Sequence, residues 1–209
     1  MRYARVAAAL TVSSVAAVLH AQDIAPLRAP AVPLVTHDPY FSVWSFSDKL
    51  TDSWPRHWTG KTMGMCGLAR IDGKAYRWCG PEPRDVPAME QVSCEVGPMS
   101  TAYRFHAGNL ELNVIFRSPA IPTDIQVASV PATFIECWAR SLDGHPCNDT
   151  RLYLDCSAEW CVNTPDQMVR WSRARSGGLD LLTFSSQDQA VLQKKGDDLR
   201  IDWGTFIMC

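Results

Sequence analysis

The sequence has no stretch dense in lysine and arginine, and no apolar run after Leu19 long enough to cross a bilayer. The first absence excludes a nucleic-acid footprint, and the second excludes a stable membrane anchor in the body of the chain. The formal net charge is −2, ordinary for a solvated surface. HExxH, GxSxG, the phosphate-binding P-loop and a GxGxxG opening a helix are all missing, so no compact catalytic or nucleotide signature can be read. His37 lies beside Asp38 and His57 follows Arg56, but neither has a second ligand at zinc spacing on one element. Neither a metal nor a cofactor is expected. A chain of 209 residues buries roughly 70% of its unfolded surface, so it needs no metal or staple to fold.

The first residues carry a clear pattern. Arg2 and Arg5 precede a mostly apolar run from Val6 to Leu19, which predicts an export signal over residues 1–21, cleaved after Ala21 or, failing that, after Ala17. The mature protein is therefore expected to be secreted or periplasmic. Residues 22–60 read as an N-terminal arm and an irregular aromatic segment: Pro26, Pro30 and Pro33 forbid helix in the arm, and Pro39, Pro55 and Gly60 interrupt the aromatic segment. Within it only "YFSVWSF" alternates as a strand does.

From residue 61 to 209 the texture becomes short alternating runs separated by turn dipeptides. "MCGLARI" and "AYRWCG" flank Asp72-Gly73, the strongest short hairpin signal in the chain. "TAYRFHA" and "LELNVIF" flank Gly108-Asn109, "ATFIECWARS" and "TRLYLDCSAEW" flank a loop with Asp143-Gly144, and "LDLLTFS" precedes "LRIDWGTFIMC" across Gly196-Asp197-Asp198. The pattern predicts an all-β fold, an antiparallel β-sandwich carrying an extended proline-rich arm. In "NTPDQMVRWSRARSGG", Thr164, Pro165 and Gln167 suit a helix start, whereas Val169 and Trp171 alternate as in a strand; the thin apolar face favours the strand. The apolar ending "WGTFIMC" predicts that the sandwich is incomplete and the chain a fragment of something longer.

Eight cysteines in an exported chain permit disulfides, and equally permit small buried apolar residues. A two-residue turn at Asp72-Gly73 places Cys66 opposite Cys79 at a non-hydrogen-bonded position, where Cα atoms approach to about 4.5 Å, the lower edge of disulfide reach. Cys156 and Cys161 have an odd separation, so a continuous strand points them to opposite faces. Asp52 near Trp54, Glu159 beside Trp160 and Asp166 before Trp171 fit either a sugar site or acceptors for indole N–H groups. Asn148 to Thr150 form a glycosylation sequon.

"RAPAVPLVTHDPYFSVWSFSDKLTDSWPRHWTGKTMGMCGLARIDGKAYR", "FRSPAIPTDIQV", "SAEWCVNTPDQMVRWSRARSGGLD" and "KKGDDLRIDWG" together resemble the N-terminal part of the secreted glutaminase A-like family. The resemblance implies an arm and β-sandwich preceding a helical (α/α)-toroid domain that holds the hydrolytic centre and converts glutamine to glutamate and ammonia. The chain then supplies no catalytic residue, and its partners are the helical domain of the same polypeptide and a small substrate such as glutamine. A glycan-binding accessory sandwich is the alternative. Several cysteines depart from the family's pattern. Dense rings with polar tips suit an interface, so Asp52, Trp54, Arg56, His57 and Trp58 are the candidates for a domain contact or substrate rim; packing onto the sandwich itself is the competing account.

Overall fold

The computed structural model describes residues 29–119, 121–145 and 149–209. The expected export signal, residues 22–28 of the arm and the Asn148 sequon lie outside the described residues. Along the chain run β1 (Val32–Asp38), β2 (Phe41–Ser45), β3 (Arg56–His57), β4 (Met65–Ile71), β5 (Lys74–Cys79), β6 (Glu90–Val96), β7 (Ser100–Ala107) and β8 (Leu110–Arg117). They are followed by a one-turn helix α1 (Ile125–Ala128), β9 (Phe134–Ser141), β10 (Thr150–Cys156), a 3₁₀ turn (Ala158–Cys161), β11 (Val169–Ser176), β12 (Leu179–Ser186) and β13 (Phe206–Met208).

Two sheets, in the orders β10-β4-β5 and β6-β7-β8-β9, enclose the core and make the all-β antiparallel sandwich. Strand β8 shows the governing pattern. Leu110, Leu112, Val114 and Phe116 are buried at every second position, while Asn113, Ile115 and Arg117 turn outward. Trp78 of β5 meets Phe105 of β7 across the gap, ring centres 6.4 Å apart, and Phe105 stacks on Tyr103. A third sheet, β1-β2-β3, closes one end: Val32, Leu34, Val35 and Val43 join the core, and Thr101 donates a 2.6 Å hydrogen bond to the Pro33 carbonyl. Part of the arm is thus a strand, with Pro33 at its edge, where a missing N–H costs little. The fourth sheet, β11-β12-β13, attaches through Phe184 and Phe206, which pack on one another, with Phe206 also packing on Trp160.

Asp72 and Gly73 both take positive φ, 48° and 85°, the geometry a two-residue hairpin turn requires. From this turn the expected register holds for four pairs, Ile71 with Lys74 through Leu68 with Arg77. It then slips. Trp78 is the extra residue of a bulge, so Cys79 lies opposite Gly67 rather than Cys66. The Cys66–Cys79 disulfide is therefore corrected: both thiols are free, Cys66 donating to the Glu82 carbonyl and Cys79 to the Met65 carbonyl. The bulge exists because the Trp78 ring crosses Gly67 so closely that a Cβ there would sit 2.2 Å from the ring carbon Cε2.

Other expectations change too. "ATFIECWARS" and "TRLYLDCSAEW" do not pair with each other; β9 pairs with β8 and β10 with β4, in opposite sheets. Alternation marks a strand without naming its neighbour. β10 ends at Cys156, so Cys161 sits on a 3₁₀ turn and not on a continuous strand. After Thr164 the Gln167 side chain does reach back to the Thr164 N–H, as in a helix start, yet only a turn forms before β11. "LRIDWG" is irregular, and only Phe206–Met208 pairs with β12.

Substituting Gly67→Ala should lower stability by about 1–3 kcal/mol, because the buried Trp78 ring has nowhere to shift. A urea midpoint unchanged from the parent would show that the ring does not depend on this glycine.

Candidate functional site

The residues singled out in the aromatic segment do not converge on one point. Asp52 is exposed and accepts from the Lys49 N–H, closing a local turn. Trp54 is half-buried, its ring over Gly80. Arg56 is exposed on β3, while His57 beside it is fully buried. Trp58 stays 49% exposed, with its indole N–H donating a 2.6 Å bond to the Pro39 carbonyl. His57 shares that acceptor through Nε2 at 3.0 Å, which fixes the tautomer, so Nδ1 accepts, and the Thr59 N–H donates to it at 3.3 Å. Burial holds the imidazole below its usual pKa, so it stays neutral at physiological pH.

What His57 and Trp58 do join is a polar knot built from distant segments. The buried Arg200 bonds the Asn163 carbonyl and Asp198, and its Nη1 reaches Thr59 at 3.5 Å. The Thr59 hydroxyl, first, and the Arg200 guanidinium, second, hold Asp198 below the usual carboxylate range. Asp202, also buried, takes Lys194 at 2.6 Å and Gln167 at 2.9 Å. Gln167 in turn accepts from the N–H groups of Asn163 and Thr164. Three separated strings, "WPRHWTG", "VNTPDQ" and "KKGDDLRIDWG", thereby meet in one place. Arg200 and Asp202 were not foreseen as site residues. No local signal separates a buried, paired charge from a solvated one.

The acids expected near aromatic rings have structural work. Glu159 accepts from the Gly64 N–H, and Trp160 donates to the Gly64 carbonyl at 2.9 Å, so the pair clamps the backbone ahead of β4. Asp166 is bonded by the Thr164 side chain. The thiols are poor nucleophiles: burial pushes Cys79 and Cys156 up, and Cys161 to about 11. Among the described residues no group of three or more His, Cys, Asp or Glu is placed to hold a metal ion.

A second polar surface covers the outer face of β6-β7-β8-β9. Glu111 points outward yet is buried, gripped by Arg140 at 2.7 Å, His106 at 3.1 Å and Asn113 at 3.2 Å. One row further along, Ser93, Glu95, Ala102, Arg104, Asn113, Ile115 and Trp138 line a cleft of about 150 Å³. Trp138 stands 47% exposed beside it. Arg104 Nε is buried and meets no hydrogen-bond partner among the described residues.

Comparison with known proteins gives the geometry a setting. A family model described as "Domain of unknown function (DUF5127)" matches residues 99–209, and another, "Domain of unknown function (DUF4964)", matches residues 3–90. Glutaminase A of Aspergillus oryzae is 31% identical over 159 residues, which is 72% of this chain and 23% of that protein. The chain belongs to the DUF5127 family and to the N-terminal region of the glutaminase A-like family. A "Probable glutaminase" of Arthroderma benhamiae is 26% identical over 164 residues, 69% of this chain and 18% of that protein. The chain thus spans no more than about a quarter of these glutaminase A-like relatives. No solved structure matches it. The polar knot draws on both matched segments, with Pro39, His57 and Thr59 in the DUF4964 match and Asn163, Asp198 and Arg200 in the DUF5127 match.

Glu111 supplies a pH test. Arg140 first, then His106, hold its carboxyl at about 2, below the ordinary 4.5, so the folded protein takes up this proton less readily than the unfolded chain. The contribution is complete above the unfolded value and is lost as pH falls toward the folded one. The urea midpoint of the parent should exceed that of Glu111→Gln at about pH 6 and converge on it toward about pH 2 to 3. Parallel profiles would exclude this role.

Proposed function

We propose that the chain is the non-catalytic N-terminal sandwich of an exported amide hydrolase of the glutaminase A kind, and that it supports a helical catalytic domain. In the whole protein the reaction is hydrolysis of the glutamine side-chain amide to glutamate and ammonia. The names of both relatives support the substrate class. The basic and apolar opening residues support export.

The observation that carries the supporting role is the use already made of the reactive groups. His57 spends both ring nitrogens on Pro39 and Thr59, Glu159 holds Gly64, and burial raises the thiols of Cys79 and Cys156 so that they stay protonated. What remains free is the outer part of the aromatic segment. Trp58 is pinned from beneath by its indole N–H and presents the rest of its ring outward, two residues along the chain from exposed Arg56. A ring held in one rotamer loses little entropy on docking, which suits a contact with another domain. The buried His57 ring packs against Trp58, ring centres 5.6 Å apart, and positions it.

A specific observation favours a second reading, a glycan-binding accessory sandwich. The cleft beside Trp138 offers a flat ring, the Asn113 amide and the side chain of Arg104, whose Nε meets no partner among the described residues. Calorimetric titration with oligosaccharides, repeated on Trp138→Ala and Arg104→Gln, tests it; heats that the substitutions leave unchanged would exclude that cleft.

For the main reading, the whole protein should release ammonia from glutamine and leave a panel of glycosides intact, while residues 22–209 alone should do neither. Glutamine hydrolysis by the isolated chain would overturn the supporting role, and glycoside cleavage without glutaminase activity would overturn the substrate class. In the whole protein, Trp58→Ala should lower the melting temperature while the isolated chain is little affected, since half of this ring already faces water.

A further inference from the structure

A sandwich is stable when the inward rows of both sheets are covered at each side. One side meets this condition: Trp78 of β5 packs on Phe105, and an Arg77–Ala88 bridge ties β5 to the segment entering β6. The opposite side does not. There β9 is the last strand of one sheet and β10 the last of the other.

Register shows which residues face the gap. Ile135, Cys137 and Ala139 of β9 lie opposite Phe116, Val114 and Leu112, and Leu152 and Cys156 of β10 lie opposite Ala69 and Met65. Those five partners are core residues, each no more than 1% exposed. Yet on the edge strands Ala139 is exposed, Leu152 is 42% exposed, and Ile135, Cys137, Leu154 and Cys156 are only half-buried. Among the described residues nothing covers these core rows. The strands themselves are eight and seven residues long and contain no proline, and their charged residues, Glu136, Arg140, Arg151 and Asp155, fall on the outward rows. The usual devices that blunt an exposed edge, a proline, an inward-pointing charge or a very short strand, are absent from both.

We propose that β9 and β10 each accept a further strand, and that the two strands come from the part of a glutaminase A-like polypeptide lying outside the matched residues. This rests on the reading of the chain as a region of such a protein. The occupant's chemistry is dictated by the edge. A continuous row of peptide N–H and C=O groups along a strand margin is matched in register by extended chain, whereas a helix has its own backbone groups already paired. The incoming strands must alternate, with apolar residues large enough inward to fill the space over Ala139 and Leu152. The relatives have chain to supply them, since the matched segment is 23% and 18% of their lengths.

Amide hydrogen exchange in the isolated chain and in the longer polypeptide that carries it tests the proposal. In the isolated chain, alternate amides of β9 and β10 should exchange about 100-fold or more faster than those of β7, β8 and β4, and in the longer polypeptide they should slow by a similar factor. Edge amides that stay fast in the longer polypeptide overturn the proposal, and so does protection in the isolated chain that grows with concentration alongside a dimer in light scattering, which makes the occupant a second copy. Leu152→Lys gives an independent arm: it should lower the melting temperature markedly in the longer polypeptide and little in the isolated chain, and equal shifts count against added strands. Glutaminase activity is read in the same samples. An active longer polypeptide with fast edge amides sinks this proposal alone; protected edges without activity sink the functional reading alone.

Discussion

The sandwich depends on one close approach, the Trp78 indole lying across the bare Cα of Gly67. One of the two core tryptophans needs a position with no Cβ, and the strand gains an extra residue to deliver the ring there. Everything after the bulge is set by it. The Gly80 N–H then reaches the Leu50 carbonyl, Trp54 settles over Gly80, and the Arg77 guanidinium spans the Thr51, Gly80 and Val86 carbonyls. The aromatic segment is therefore docked by the geometry of one hairpin. This costs something: Trp78 Nε1 is buried without an acceptor among the described residues, a penalty of about 1–3 kcal/mol offset by the apolar area the ring buries.

A second constraint works by polarity. Arg200 and Asp202 are buried charges, and such groups persist only where each hydrogen-bonding position is answered. Asn163, Thr59, Asp198, Gln167 and Lys194 answer them, and in doing so tie the irregular stretch before β13 to the start of the chain. The same knot fixes Pro39, whose carbonyl holds both His57 and Trp58. A shape needed at the surface is thus secured from within, without committing the surface side chains themselves.

Strand identity was legible wherever alternation and turn chemistry agreed. The Asp72-Gly73 hairpin, the β7–β8 pair and β11 all form where period-two patterning puts them. Partner choice was not legible, because alternation fixes a face and leaves the neighbour open; β9 and β10 look like a hairpin and enter different sheets. The Cys66–Cys79 pairing failed for a related reason, since a bulge is set by what packs across the sheet, here Trp78 on Gly67. Of the site, the sequence marked Trp58 only as part of an aperiodic aromatic stretch; its 49% exposure comes from the fold. Arg200, Asp202, Glu111 and Arg104 were not, because burial of a charge is decided by residues far away in sequence.

The two matched family segments end and begin on either side of β6, yet β4 of the first is zipped to β10 of the second. Neither segment owns a sheet of the sandwich outright. A protease nick at Gly97-Pro98, between the two segments, would leave two pieces still clasped through their shared ladder, and recombination at the same place would hand each offspring half of an interior. The boundary that separates the segments as units of sequence is thus not one at which the protein comes apart.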